Sequence, residues 1–435
     1  MAFTGSNSTN FAAMLRVYYE KKKPASLVLE GRPGIAFCEK DTGWRGNGTF
    51  DIPLMYADVQ STSSSYTDMK DNRGKTTQTK FQLTRVRQYS GIQMDRETML
   101  SADDDQFAFM KLVTSQTDSM HNAFGNALEQ QFFGDRTGVI GQVTSAGSTT
   151  VTLGEEVTLS KASDIRNFDL GKRVNFIAKT TSLGYTEADA DNATTGTTYY
   201  VTAVDRSNYK VTFNAVPANC DYDLIVGEGD AYADTDAAGQ VAGWKKGSGL
   251  KTWLKNPADS DWATLFYGVD RSLDKQRLGG IFHDAAAASE DLEEALISAG
   301  AKAANVGAKP DIVYMNPLRV AELARILDGK IASTDGERTK VQSNDAQISF
   351  KSIGVWTGAG LLPVVAAPAC DYNEAYMLQK NTWLLASVKE CPMLLTDGGG
   401  SLHQDGVYDA LTIDVGAYYN FACRAPGYNV RIKLA

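Results

Sequence analysis

Between positions 101 and 134, Phe109, Val113, Met120, Phe124, Leu128 and Phe132 recur at steps of four and seven residues. That spacing sets them on one side of an α-helix. Ser101 stands where an N-cap belongs, and Asp103, Asp104 and Asp105 put negative charge where the helix dipole favours it. Gly134 marks the end. At about 1.5 Å per residue the helix is roughly 45 Å long, well above the usual three turns. Gly125 costs about 1 kcal/mol against alanine inside it, which predicts a close backbone contact at that point.

Upstream, residues 8–19 carry Phe11, Leu15 and Tyr18 at helical spacing, and Lys21-Lys22-Lys23-Pro24 ends the run, as a solvated basic terminus in the favoured reading or as a contact to a polyanion in the other. Residues 25–48 are loop-like, punctuated by Gly31, Pro33, Gly34, Gly43, Gly46 and Gly48. Two strands are predicted next, over 50–56 and over 79–94, the second alternating through Phe81, Leu83, Val86, Tyr89 and Ile92. The stretch between them, 57–78, has almost nothing to bury. Ser64, Tyr66, Asp68, Lys70, Asp71, Arg73 and Lys75 are typical of it. Such a tip is either a projecting arm that a neighbour orders, the favoured reading, or a disordered loop.

After the long helix the period changes. Residues 139–245 hold runs such as 149–153, 173–177, 198–204 and 209–213, rich in Val, Thr, Tyr and Phe and separated by Gly, Asp, Asn and Ser. About six short strands at this spacing predict a small barrel or sandwich. Glycines bracket the stretch on both sides, and it carries 14 acidic against 8 basic side chains. It reads as an acidic all-β domain inserted into a host fold.

The host resumes beyond Trp253. Ser289 is placed to cap a helix with Leu292, Leu296, Ala299 and Ala303 on one face and Gly307 at its end. A short buried strand over 311–315 follows, then a helix capped by Asn316, begun by Pro317, carrying Val320, Leu323, Ile326 and Leu327, and stopped by Gly329. Strands are predicted near 348–355, 362–366 and 375–378, and two alternating strands, 411–422 and 430–434, close the chain.

Composition narrows the function classes. With 435 residues the chain exceeds one ordinary core. Its net charge of −9 argues against broad affinity for nucleic acid. No apolar run is long enough to span a membrane, and the start MAFTGSNSTNF lacks the features of a secretory signal. The five cysteines are scattered without CxxC spacing and read as reduced thiols. His121, His283 and His403 each stand alone, and no metalloprotease, nucleophile-elbow, P-loop or dinucleotide motif occurs. The acidic residues of the β-rich stretch, among them Asp189, Asp191, Asp230, Asp234 and Asp236, lack the EF-hand pattern and read as a solvated face. No catalytic site, no metal site and no cofactor is expected. The sequence argues for a structural protein.

The order of elements resembles the major capsid proteins of tailed bacteriophages of the Hong Kong 97 type, over nearly the whole chain. The text closest to that family runs from Phe81-Gln82-Leu83-Thr84-Arg85-Val86 through Met94-Asp95-Arg96-Glu97 into the long helix. Val313-Tyr314-Met315-Asn316-Pro317 resembles its axial-domain strand and helix, and the passage from Asp414-Val415 to Cys423-Arg424-Ala425-Pro426 its final strands. The resemblance rests on order and texture, without an invariant signature.

The resemblance implies an α+β capsid fold with an N-terminal arm (1–48), an extended hairpin loop (49–94, tip 57–78) and a peripheral domain with its spine helix (95–138, continued at 246–308). It further implies the all-β insertion (139–245), an axial domain (309–391) and closing strands (392–435). Ser64, Tyr66, Asp68, Lys70, Asp71, Arg73 and Lys75 would then touch a neighbouring subunit. The spine helix would bury Phe109, Val113, Met120, Phe124, Leu128 and Phe132. The implied partners are further copies of the chain in hexamers and pentamers, portal and scaffolding proteins, decoration proteins, and enclosed double-stranded DNA without sequence-specific contact. The implied place is the virion capsid, assembled in the host cytoplasm. Scaffolding is expected from a separate protein or a segment cleaved upstream, or is absent. Loop lysines Lys70, Lys75 and Lys80 identify no crosslink. An encapsulin-type compartment shell or a phage tail or adhesin protein are the other classes to weigh.

Overall fold

A computed structural model describes residues 32–45, 48–59, 61–71, 73–74, 76–96, 106–144, 156–179, 185–187, 199–217, 223–230, 245–259, 265–331, 353–358, 360–395, 403–404 and 409–434. The expected helix over 8–19, the cap at Ser101 and the strand over 149–153 lie outside these residues. Among the described residues no helix is long and apolar enough to cross a membrane.

The chain opens with a short helix α1 (Pro33–Phe37) and strand β1 (Glu39–Asp41), where the glycines and Pro33 predict only loop. Strand β2 (Phe50–Ala57), helix α2 (Tyr66–Asp71) and strand β3 (Thr77–Leu83) form a hairpin with a helical tip, Phe50 pairing Leu83 and Ile52 pairing Phe81. The single strand expected over 79–94 is two. After Thr84 and Arg85 the chain leaves the hairpin as β4 (Val86–Asp95) and enters a different sheet. The buried phase shifts at that corner, from Phe81 and Leu83 to Val86 and Gln88, a step of three that a single-strand reading passes over.

The long helix α3 (Gln106–Phe133) ends at Gly134 and spans about 42 Å. The β-rich stretch follows as β5 (Val139–Gln142), β6 (Glu156–Thr158), β7 (Arg173–Lys179), β8 (Tyr185–Glu187), β9 (Tyr199–Asp205), β10 (Lys210–Phe213) and β11 (Leu224–Gly227). Their order is β5-β11-β7-β9-β10-β6, with β8 beside β7. A bridge from Val143 to Leu159 joins β6 back to β5, backed by Thr144 N to Thr158 O (3.0 Å) and Ser160 N to Gln142 O (2.8 Å). The sheet therefore closes into a small barrel. Phe168, Phe176 and Phe213 fill it with Val143, Val174, Val201 and Val211, a core separate from the rest of the molecule.

Two further sheets build the body. In one, the 14-residue β20 (Ala410–Cys423) carries β4 along one edge over ten residue pairs. Its other edge takes in turn β17 (Trp383–Ser387), β18 (Met393–Leu394) and β19 (His403–Gln404). Strand β1 adds parallel to β17. The C-terminal half of α3 lies against this sheet, with Phe132 meeting Trp383 and Phe421 at ring distances of 5.8 and 5.4 Å. The second is mixed, in the order β12 (Ile281–Asp284), β21 (Val430–Lys433), β16 (Glu374–Leu378), β13 (Ile312–Met315), β15 (Gly360–Ala366) and β14 (Ile353–Thr357). Helix α4 (Leu292–Asn305) buries Leu296, Ala299 and Ala303 on it.

Two boundaries and one contact differ from expectation. Ser289 does not cap α4. It sits at φ 54 behind the preceding helical turn, and the cap position belongs to Asp291. Helix α5 (Pro317–Ile331) runs through Gly329, because a mid-helix glycine costs only about 1 kcal/mol. Gly125 makes room for a side chain instead of a backbone, since a Cβ there would lie 2.4 Å from Arg32 Nη1.

Candidate assembly surface

The hairpin is buried at its root and bare at its tip. Ile52, Phe81 and Leu83 belong to the main core, and Phe81 meets Trp253 edge-on at 5.0 Å. Towards the tip Met55 and Val59 are exposed, and no residue of α2 is buried. Ser64, Tyr66, Asp68, Lys70, Asp71 and Arg73 are all exposed, Tyr66 at 71%. Lys75 lies outside the described residues. Two bonds tie the hairpin to the body, Gln82 N donating to Tyr267 O (2.9 Å) near the root and Arg277 Nη1 donating to Tyr56 O (2.5 Å) near the far end of β2, while Lys80 pairs with Asp51 (2.7 Å) across the two strands. The bond from Lys80 holds the Asp51 carboxyl below its ordinary range. The structure thus presents a polar tip with one large aromatic ring on a fixed base.

On α3, Met120, Phe124, Leu128 and Phe132 are buried together. Phe109 and Val113 lie on the helix, but their side chains are outside the description. The apolar stripe understates what the helix does, because Glu129 and Gln131 are buried as well. Glu129 accepts Gly34 N and Ile35 N, both at 2.8 Å, and so caps the start of α1. Burial pushes its carboxyl upward, against those two N–H bonds. Arg32 lies in the notch over Gly125 and donates to Asn126 Oδ1 (3.1 Å), Asn122 O (2.8 Å) and Asn122 Oδ1 (2.9 Å). Tyr314 OH donates to Pro33 O (3.1 Å). These contacts order a segment whose own residues predict a loop.

The body is tied by a buried ionic cluster. Glu374 Oε1 receives Arg431 Nη2 (2.6 Å) and Lys251 Nζ (3.1 Å), while the Tyr376 hydroxyl bonds its other oxygen. Burial opposes the charge on Glu374, but Lys251 and Arg431 outweigh it and hold the carboxyl down to about 2. His283 is not alone either. Its Nε2 lies 2.6 Å from Glu290 Oε2 and its Nδ1 2.7 Å from Lys302 Nζ. Sequence spacing gives no sign of these partners, which different elements supply. Among the described residues no group of three His, Cys, Asp or Glu side chains is placed to hold a metal.

No family model matches the sequence, and no curated protein does. Solved structures do. A chain of the cyanophage A-1(L) capsid shares 10% identity at a TM-score of 0.54, with 94% of each chain covered. A capsid chain of a native GTA particle shares 11% identity over 98% of both chains at a TM-score of 0.44. A chain from the phage G major capsid and decoration proteins shares 9% at 0.40, covering 100% of this chain and 99% of that one. The fold assignment rests on the first of these. This chain has the α+β fold of a phage capsid protein.

Proposed function

We propose that this chain is a major capsid protein that self-assembles through hexamers and pentamers into the icosahedral shell around a double-stranded DNA phage genome. The observation that carries the reading is the fold shared with a cyanophage capsid chain over 94% of both chains. The bare hairpin tip supports it. A helix such as α2, with no buried residue, gains its contacts only from another molecule, and in a shell the adjacent subunit is the molecule at hand.

In this reading residues 1–48 are the arm and 49–94 the extended loop, with Ser64, Tyr66, Asp68, Lys70, Asp71, Arg73 and Lys75 against the neighbour. Residues 95–138 and 246–308 form the peripheral domain, 309–391 most of the axial domain, and 392–435 strands that close both. Residues 139–245 are an insertion into that frame, a reading supported by the closed barrel and its separate core. Portal, scaffolding and decoration proteins are the further partners, the subunits assemble in the host cytoplasm, and the virion capsid is their destination. An acidic chain suits a shell that must not grip the DNA it encloses.

Negative-stain electron microscopy of the purified chain, with light scattering, tests the reading. Closed uniform shells are expected, whereas tubes or fibres would point to a tail component. Deleting 61–75 is expected to leave a folded subunit that forms no closed shell; normal shells from that deletion would refute the role given to the loop.

A further inference from the structure

A concavity of about 810 Å³ lies where the barrel meets the body, between the end of α3, the start of β4, the 3-10 turn Ala162–Asn167 and the loop before β16. That is the size of a small-ligand site. Charged side chains line it densely, and the way they pair is uneven.

Nearly every carboxylate in the cleft is already matched. Asp371 pairs with Lys161, Asp230 with Lys246 (2.8 Å), Glu374 with Arg431 and Lys251, and Glu228 with Arg173 (3.5 Å). Asp135 accepts from Thr137 N (3.0 Å) and from its hydroxyl. Asp164 differs, with only a long contact to Ser163 Oγ (3.4 Å) among the described residues. Burial pushes its carboxyl up to about 6, with Asp371 adding to the rise and Lys161 and Lys251 opposing it.

The cations are not matched to the same degree. Among the described residues no hydrogen bond or ion pair reaches the Arg166 guanidinium. It feels Asp164, Glu129 and Asp371 only at a distance, and burial lowers its hold on the proton. Lys172 Nζ donates to one backbone carbonyl, Asn167 O (2.6 Å). Burial pulls that ammonium down to about 8 against the pull of Asp169 and Asp230, and Lys246 repels it. Among the described residues Lys245 reaches Gly229 O (3.3 Å), and Arg87 is exposed at the rim. In a chain of net charge −9, this cleft is left with a surplus of positive charge.

We propose that the cleft between barrel and body is a binding site for a phosphate-type polyanion, seated on Arg166 and Lys172. A planar guanidinium without a direct partner and a desolvated ammonium facing the same space supply the fork and the point charge that phosphate oxygens take. The site does not depend on whether the chain builds shells. Protonating Asp164 removes a negative charge that no cation pairs directly, so binding of an anion whose own charge stays fixed strengthens as pH falls from 7 through 6. Above pH 8 Lys172 loses its proton and binding weakens.

The test is titration calorimetry of the full-length protein with pyrophosphate at pH 7, with ionic strength held constant by chloride. Saturable binding is expected, weakened about tenfold by Arg166→Gln and again by Lys172→Gln, one charge-assisted hydrogen bond each. Asp164→Asn is expected to tighten it and to flatten the pH profile between 7 and 5. A single-stranded oligonucleotide as a second titrant separates the sources. Binding that pyrophosphate displaces and Lys172→Gln weakens makes the ligand a nucleic-acid backbone; binding of pyrophosphate alone makes it a free phosphate compound. No saturable binding of either over chloride, or binding that Lys172→Gln leaves unchanged, overturns the proposal. Circular dichroism checks each variant, and if Arg166→Gln does not fold, Lys172→Gln and Asp164→Asn decide the matter.

Discussion

Replacing Glu374 by alanine tests the energetic centre of the body. Glu374 on β16 joins Arg431 on β21 to Lys251 behind the barrel, and its side chain is 8% exposed. The substitution leaves an ammonium and a guanidinium facing each other across a buried gap, with Arg431 already carrying one unsatisfied Nε. Breaking a buried pair from one side costs about 3–5 kcal/mol. The titration of Glu374 gives a second route to the magnitude. A carboxyl held down to about 2 against an ordinary 4.5 corresponds to about 3 kcal/mol at neutral pH. Its folded value is depressed, so this stability is complete above about pH 4.5 and is lost as pH falls towards 2. Urea unfolding of the unassembled subunit, followed by tryptophan fluorescence, measures both. Glu374→Ala is expected to lose about 3 kcal/mol or more at pH 7, and the gap from the parent is expected to narrow between pH 5 and pH 3. A loss under about 1 kcal/mol, or a gap that ignores pH, would show that the cluster is not the clamp its geometry describes.

Other expectations are simpler to state. Gly249→Ala drives a Cβ to within 2.0 Å of Gln131 O and 2.6 Å of Phe132 O, carbonyls that close α3; a loss of about 3 kcal/mol or more in the same urea assay is expected, and a neutral result would mean the chain passes α3 less closely. Asp164→Asn removes a carboxyl whose folded value is raised, so the parent's penalty is present at pH 7 and vanishes towards pH 4. The variant is expected to be more stable by roughly 2 kcal/mol at neutral pH, with the gain gone in acid; equal stability at both pH values would contradict it. Residues 139–245 expressed alone are expected to melt cooperatively, since the barrel has its own core, and a featureless melt in calorimetry would count against an independent unit.

What the sequence makes legible follows from how local each cause is. The helix α3, the strands β20 and β21 and the β-rich character of 139–245 announce themselves because one period governs each. Asn316 caps α5 as read, with Leu318 N donating to its Oδ1 at 3.0 Å, because a cap acts within three residues. The misreadings share the opposite property. Helix α1 depends on Glu129, some 95 positions away, and the corner after Leu83 depends on β20 claiming β4. Glu374 and Arg431 stand 57 positions apart and make sense only once β16 and β21 lie side by side. The cleft is less legible still. Arg166 and Lys172 look like ordinary surface charges of an acidic stretch until the barrel is laid against α3.

The strand that opens the barrel and the strand that completes it are neighbours. Gly141 pairs with Ile225 and Val139 with Val226, so the chain departs from the body and comes back about 4.8 Å away. A segment whose two ends meet so closely imposes almost nothing on what lies between them. Each doubling of its length adds only about 0.6 kcal/mol of closure entropy, and its removal leaves a gap that a tight turn spans. As far as connectivity goes, this position is a port. A lineage could exchange, enlarge or shed the module there while α3 and the sheet beneath it keep their register, and a protein engineer could graft a foreign domain at the same point.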